Sequence, residues 1–331
     1  MRKRDFYLLF SYQGANLEFI IENSKYPLQK LTSPERVGTF KRWLCGALGA
    51  IRSSKRGDVI VCFLDMQGVL LFWLCRFMLC RREIFAINLL LKDKQSRKNK
   101  LAKFLYRQAL RSRHFHASVT SMAYGEWIKD VLGVNADLSL VRDVCLDYYA
   151  YAAPPVDAIN LKSVICAGRN GRDWDLIVNV AKKMPSVNFN LVMPQGAYNR
   201  LHDSFPHNVN AYAEIEFSEY KRMLAESMAV CLPLETEAPA GLMVVFQAAL
   251  NEKPVFISET VTSQEYVTPE TGYPLPNDVD AWVQALDSAF KQPAQMLAKA
   301  NRLHDYIKME CSQDNYVKQI DTMIDKYVSH D

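Results

Sequence analysis

EAPAGLMVVFQAALNEKPVFIS, residues 237–258, sets an almost wholly apolar helix directly behind Pro239-Ala240-Gly241 and follows it, after Lys253-Pro254, with a short β-type segment. A Pro or Gly in the first turn, free N–H groups there, and Leu242 to Leu250 packed in a core describe a helix whose N-terminus faces a ligand. Pro239 is read inside that first turn, where its missing N–H has no helical partner. Gly241 is read as the residue that lets the backbone approach a ligand with no Cβ in the way. A strand at Met228 to Leu234 precedes the stretch and another at Pro254 to Ile257 closes it, which makes a strand–helix–strand unit.

The same alternation runs through the chain. Strands are expected at Phe6 to Ser11, Asp58 to Leu64, Glu83 to Leu90, Phe115 to Thr120 and Ala136 to Val141, with helices at Val37 to Ser53, Gly68 to Cys80 and Tyr124 to Leu132, the last closed by Gly133. Gln13-Gly14-Ala15-Asn16 reads as a turn and Ala152-Ala153-Pro154-Pro155 as a linker, after which the alternation restarts. Strands then follow at Ser163 to Ala167 and Asn188 to Met193, with helices at Trp174 to Lys183, Ser218 to Glu226, Ala281 to Phe290 behind the cap Asp278, and from about Pro293 to Val328. Helices of this length between strands imply parallel sheets covered on both faces, hence two doubly wound α/β domains, 1–152 and 153–331, facing a central cleft. The terminal helix is a candidate to pack back on the first domain. In such a pair the ligand lies at the carboxyl ends of the strands, where the opening stretch sits.

Composition bounds the function. With 331 residues, 49% hydrophobic and 23% charged, the chain can build two cores. Its eight cysteines are scattered through apolar runs with no C-x-x-C, and the histidines form no ligand set with carboxylates, so reduced core thiols of a cytoplasmic protein and no metal are expected. MRKRDFYLLFSY is basic at its start, but its apolar run is too short for a secretory segment and reads as the first strand. The most apolar window, Gly68 to Cys80, is interrupted by Arg76 and falls short of the roughly 20 residues a spanning helix needs. No G-x-S-x-G, Walker loop or GxGxxG occurs.

Net charge is only +4, but nine cations from Lys92 to Arg113 face the single acid Asp93. At 100° per residue Arg97, Lys100, Lys103, Arg107 and Arg111 share a face with Phe104, while Leu101, Leu105 and Ala109 line a neighbouring one. A solvated surface face and a contact with anionic lipid both fit this stripe. Nucleic acid fits less well, because no recognised nucleic-acid module accompanies it.

The second half resembles the nucleotide-binding domain of GT-B glycosyltransferases, in particular the large retaining family that uses nucleotide-diphosphate sugars. The resemblance lies in Val164 to Ile177, a strand running into Gly168-Arg169; in Leu232-Pro233-Leu234 followed by Ala240 to Val255; and in Tyr266 to Pro276. It covers roughly residues 160 to 290, and the first half only in element order. It implies a nucleotide-sugar donor, UDP-linked for preference, as co-substrate with no cofactor, and a lipid-linked or surface-polysaccharide acceptor. A protein resting on the inner membrane face and retention at the anomeric carbon go with that implication.

Residue by residue, Arg169 falls on the family's diphosphate-binding Arg, and Arg172 is the nearest cation where the family has a Lys. Gln247 falls on the Glu that holds the ribose, and Pro239 on the first Glu of the pair, for which Glu237 and Glu235 are nearby substitutes. Gly168, Gly241, Leu242 and Met243 would line the donor, and Gly14, after the first strand, fits equally an approach to the diphosphate from the other domain and a plain tight turn. Asn88 lies where relatives carry a His, and a structural side chain is the better reading there. Pro239 and Gln247 in place of two carboxylates leave a second reading open, a non-catalytic sugar-nucleotide binder or partner subunit.

Overall fold

The computed structural model describes residues 4–10, 17–33, 38–91, 97–150 and 160–328; the turn containing Gly14 and the Pro-Pro linker fall outside them, as does the side chain of Arg97. The chain divides into two compact units, Met1–Val144 with Gln313–Asp331, and Cys145–Ser312.

The first unit runs β1 (Phe6–Phe10), α1 (Glu18–Asn23), β2 (Leu28–Thr32), α2 (Thr39–Ser53), β3 (Val59–Cys62), α3 (Asp65–Phe77), β4 (Glu83–Ala86), α4 (Arg97–Leu110), β5 (Phe115–Val119), α5 (Met122–Leu132) and β6 (Leu138–Leu140). Its six strands form one parallel sheet in the order β2-β1-β3-β4-β5-β6. β3 and β5 are buried along their whole length, as strands with helices on both faces must be. Ser121 caps α5 through the Tyr124 N–H, and Gly133, at φ 60°, closes it in the left-handed region.

The second unit contains β7 (Asn160–Ala167), α6 (Trp174–Lys183), β8 (Asn188–Met193), α7 (Gln195–Leu201), β9 (Val209–Ala213), α8 (Phe217–Glu226), β10 (Ser227–Leu232), α9 (Leu242–Leu250), β11 (Val255–Ser258), β12 (Tyr273–Leu275), α10 (Val279–Phe290) and α11 (Pro293–Glu310). Its sheet is also parallel, in the order β12-β11-β10-β7-β8-β9, so the winding direction reverses between β7 and β10. Asp173 and Asp278 cap α6 and α10 through the amides of Leu176 and Ala281. The expected pair of doubly wound α/β units is therefore present.

The last helix, α12 (Gln313–Tyr327), packs in the first unit against α1, where buried Asp321 accepts from Ser24 Oγ at 2.6 Å and from the Lys25 amide at 2.9 Å. Four elements have no counterpart in the sequence reading: α1, β2, α7 and β9. The two strands are sheet edges and the helices have six and seven residues, so none carries a long apolar repeat.

Asn88, after β4, has φ 51° and is held by the Ser118 hydroxyl and by Asp143, whose Oδ1 accepts from Asn88 Nδ2 at 2.6 Å. Its side chain is structural. Burial pushes the Asp143 carboxyl up to about 6, while the Asn88 bond pulls the other way. A carboxyl that holds its proton more tightly folded than unfolded favours folding below about pH 4, and that contribution is lost as pH rises through the folded value. Asp143→Asn keeps an acceptor for Asn88 and removes the charge. Denaturant titrations should show the variant gaining on the parent between about pH 4 and pH 7, by on the order of 1–3 kcal/mol. A difference independent of pH would contradict this.

Candidate donor site

Two loops meet at the carboxyl ends of β7 and β10, the switch point of the second sheet and the place where open α/β sheets bind ligands. The first loop, residues 168–173, bends through Gly168 at φ 142° and Gly171 at φ 65°, conformations that L side chains rarely adopt. It is zipped to the second loop by an antiparallel bridge between Arg172 and Leu234. The Asp173 amide donates to the Pro233 carbonyl and the Glu235 amide to that of Gly171, both at 3.0 Å. The approach is close: a Cβ at Gly171 would lie 2.5 Å from Thr236 Cγ2.

Arg172 sits inside this junction, only 6% exposed. Its Nε donates to the Ala167 carbonyl at 2.9 Å and its Nη1 to that of Asn170 at 3.1 Å; no carboxylate pairs with it among the described residues. The guanidinium lies against Gly168, where a Cβ would come within 2.5 Å of Nη2, and faces Gly241, where a Cβ would stand 3.4 Å from Nη1 and Nη2. Burial lowers its pKa, as expected of a cation taken out of water without a counter-charge. Arg169, one turn of the loop earlier, is exposed and has no partner among the described residues.

Gly241 is the N-cap of α9, in the left-handed region at φ 80°, and its carbonyl accepts from the amides of Val244 and Val245. The amides of Leu242 and Met243 have no acceptor among the described residues, and they open toward the end of the helix beside Arg172. Val245, Phe246, Ala248 and Ala249 are buried and hold the helix rigid behind that end. Pro239 is not in the first turn: it stands two residues before the cap. Only Gly can take the left-handed cap without strain, so the helix starts at Leu242 and the proline merely stiffens its approach.

Gln247, on the second turn of α9, is 3% exposed, and its Oε1 accepts from the buried Tyr220 hydroxyl at 2.6 Å. Tyr220, which sequence reasoning did not single out, lies on the inner face of α8 and was indistinguishable there from an ordinary core aromatic. Glu237 Oε2 accepts from the Val261 amide at 2.8 Å and its carbonyl from Thr262 Oγ1 at 2.7 Å, so its carboxylate fastens the loop behind β11. Glu235 is exposed. The junction thus gathers Arg172, Gly168, Gly171, Gly241 and two free amides, all donors or bare backbone. The arrangement suits an anion that accepts several hydrogen bonds, such as a diphosphate. Among the described residues no group of three His, Cys, Asp or Glu side chains is placed to hold a metal.

On α4 in the other unit, the stripe is only partly free. Arg107 Nε donates to the Leu132 carbonyl at 2.6 Å and Arg111 Nη2 to that of Gly133 at 3.4 Å, capping α5. Lys100 is exposed and Lys103 half-buried. Tyr106, Ala109 and Leu110 form the buried face, whereas Leu101 faces outward with Phe104.

No protein-family model matches the chain, and no curated protein matches it by sequence. Solved structures do match in fold. Sucrose-phosphate synthase from Thermosynechococcus elongatus superposes with a TM-score of 0.72 at 14% identity, covering 90% of this chain and 82% of that one. HepE from Anabaena in complex with UDP-glucose gives 0.69 at 14% identity, over 98% of this chain and 99% of that one. A glycosyltransferase from Rickettsia africae gives 0.64 at 11%, over 96% and 89%. With two parallel doubly wound sheets and these neighbours, the chain has the GT-B fold of glycosyltransferases.

Proposed function

We propose that this protein transfers a sugar from a nucleotide-diphosphate sugar, UDP-linked, to a lipid-linked or surface-polysaccharide acceptor, with retention and without a metal. The observation that carries the reading is Arg172, a buried guanidinium with no carboxylate partner among the described residues, lying beside Gly241 at the start of α9. Burying a lone charge costs several kcal/mol unless something compensates it. A donor diphosphate would supply the missing charge. As the sugar leaves, negative charge grows on the leaving oxygen, and Arg172 with the Leu242 and Met243 amides would stabilise it from fixed positions, with exposed Arg169 free to join them. The helix end adds up to ~2 kcal/mol. Complexes of HepE with UDP and with UDP-glucose support a UDP donor. Gln247, held by Tyr220, would present its amide to the ribose.

The protein works on this reading in the cytoplasm, resting on the inner membrane face through the α4 stripe. With Arg107 and Arg111 engaged in capping α5, exposed Lys100 would lead that contact, with half-buried Lys103 beside it. No helix among the described residues is long and apolar enough to cross a membrane.

Arg169→Ala and Arg172→Ala should each weaken donor use by about 2–5 kcal/mol, read as UDP release from UDP-sugars and as UDP affinity by calorimetry. Unchanged affinity and turnover in both would remove the diphosphate assignment. Donor binding without any release of UDP, with or without acceptor, would leave a sugar-nucleotide binder.

Gly241→Val should abolish donor binding and, because the cap is left-handed, also weaken the fold by roughly 1–2 kcal/mol. Gln247→Glu keeps an acceptor for Tyr220 and should be tolerated. A donor complex with the diphosphate more than about 6 Å from the amides of residues 241–243 would be beyond hydrogen-bond range and would refute the site.

Sedimentation with anionic vesicles should fall in Lys100→Gln/Lys103→Gln and in high salt, because the attraction decays over about 8 Å at physiological ionic strength. Equal binding to neutral and anionic vesicles would leave the stripe a solvated face.

A further inference from the structure

On the first unit a cavity of about 390 Å³ opens between the last turn of α3, the turn after α2 and the amino ends of β4 and β5. It lies at the opposite end of the strands from the carboxyl ends where α/β sheets bind substrates, so it is no part of a substrate crevice. Arg56, Arg76, Arg81, Arg82 and His114 line it, and no carboxylate does. Arg82 is buried and committed: it donates to Ser54 Oγ and to the carbonyls of Ile51, Ser54 and Arg81, capping the C-terminus of α2. Arg56, Arg76 and Arg81 are exposed and have no partner among the described residues. Glu83 stands behind His114, with its two oxygens taken by His114 at 2.8 Å and His116 at 3.2 Å. The cavity therefore offers free guanidinium groups and nothing negative at its mouth, the chemistry that recognises phosphate.

The rim is apolar and strained. The turn that ends α3 has the 6→1 bond from the Cys80 amide to the Cys75 carbonyl at 2.9 Å, with Leu79 at φ 52° in the left-handed position that usually belongs to glycine. Leu79 is 92% exposed, beside Phe77 at 77% and Met78 at 55%. Apart from the Phe77 ring beside Trp73, these side chains project outward, and a glycine would make the same turn without strain. The apolar surface continues through Trp73, whose ring lies 5.9 Å from Phe77 and 6.1 Å from Phe104, onto exposed Phe104 and Leu101 of α4, beside Lys100. Large apolar side chains protruding around a cationic cavity match a bilayer surface, where the chain inserts among acyl groups and the cavity meets headgroup phosphate.

We infer that the α3 turn is a membrane wedge and that the Arg56–Arg76–Arg81 cavity beside it binds the phosphate of an anionic phospholipid. This rests on the membrane-resting part of the function proposed above and not on the donor site. The test is vesicle sedimentation of the full chain on phosphatidylcholine with and without phosphatidylglycerol, with donor turnover measured in parallel. Arg76→Gln/Arg81→Gln should lower affinity for the anionic vesicles by more than tenfold, at about fivefold per cation. Leu79→Gly should also lower it while leaving the thermal unfolding midpoint equal or higher, a combination that a merely structural leucine would not produce. Donor turnover in solution should be unchanged in both.

Vesicle binding unaffected by either change would overturn the inference. If Lys100→Gln/Lys103→Gln alone abolished binding, the membrane reading would survive and the cavity would not; if the parent bound no vesicle, both would fall. Inorganic pyrophosphate that stabilised the parent but not Arg76→Gln/Arg81→Gln, with no vesicle binding, would make the cavity a soluble-anion site and overturn the lipid assignment.

Discussion

The second unit is organised around a guanidinium placed where a protein interior normally excludes it. Arg172 is buried with two main-chain carbonyls for company, and the surrounding geometry follows from making room for it. Gly168 has to lack a Cβ because the guanidinium lies flat on it. Gly171 has to lack one because the loop closes onto Thr236. The antiparallel bridge between Arg172 and Leu234 ties the loop after β7 to the loop after β10, so the cation and the start of α9 are held together by the pairing of adjacent strands. An anion bound there would meet donors that are fixed in place before it arrives, which is what electrostatic preorganisation requires.

The stiffness behind the site has the same origin. α9 is apolar on nearly every side because it is enclosed by its neighbours and only its first turn is left open, with Met243 exposed and Leu242 already buried. Asn251 closes the other end, its Nδ2 donating to the carbonyls of Gln247 and Tyr149. Glu237 and Thr262 fasten the approach loop to the segment after β11. A glutamate in that position therefore serves the shape of the site, and the positive character of the site is left to Arg172, Arg169 and the amides.

The first unit divides its cations differently. Arg82, Arg107 and Arg111 are spent on helix C-termini, where main-chain carbonyls without helical partners and the helix dipole both favour a positive charge. Arg56, Arg76 and Arg81, exposed and without such a carbonyl among the described residues, gather around the end of α3, next to exposed apolar residues that continue onto Lys100 of α4. A count of basic residues along the chain does not separate these two populations; their hydrogen-bond partners do.

The alternation of apolar strands and amphipathic helices was legible from the residues alone, as were the caps Asp278 and Gly133 and the presence of a helix directly behind Gly241, since each depends on local spacing or on one residue's conformational freedom. The short helices α1 and α7 and the edge strands β2 and β9 were not, because neither a helix of two turns nor an edge strand buries enough to leave a clear pattern. The place of Pro239 outside the helix also needed the backbone: a left-handed cap is permitted by Gly241 but not demanded by it. The sequence by itself determined that two parallel sheets would form and that arginines would follow the strand ending at Ala167. Only the tertiary structure decided that Arg172 is the buried one and Arg169 the exposed one, and that Gly168 and Gly241 face each other across its guanidinium. Those residues are far apart in the chain, and it is the hydrogen-bonded pairing of β7 with β10 that brings them within reach.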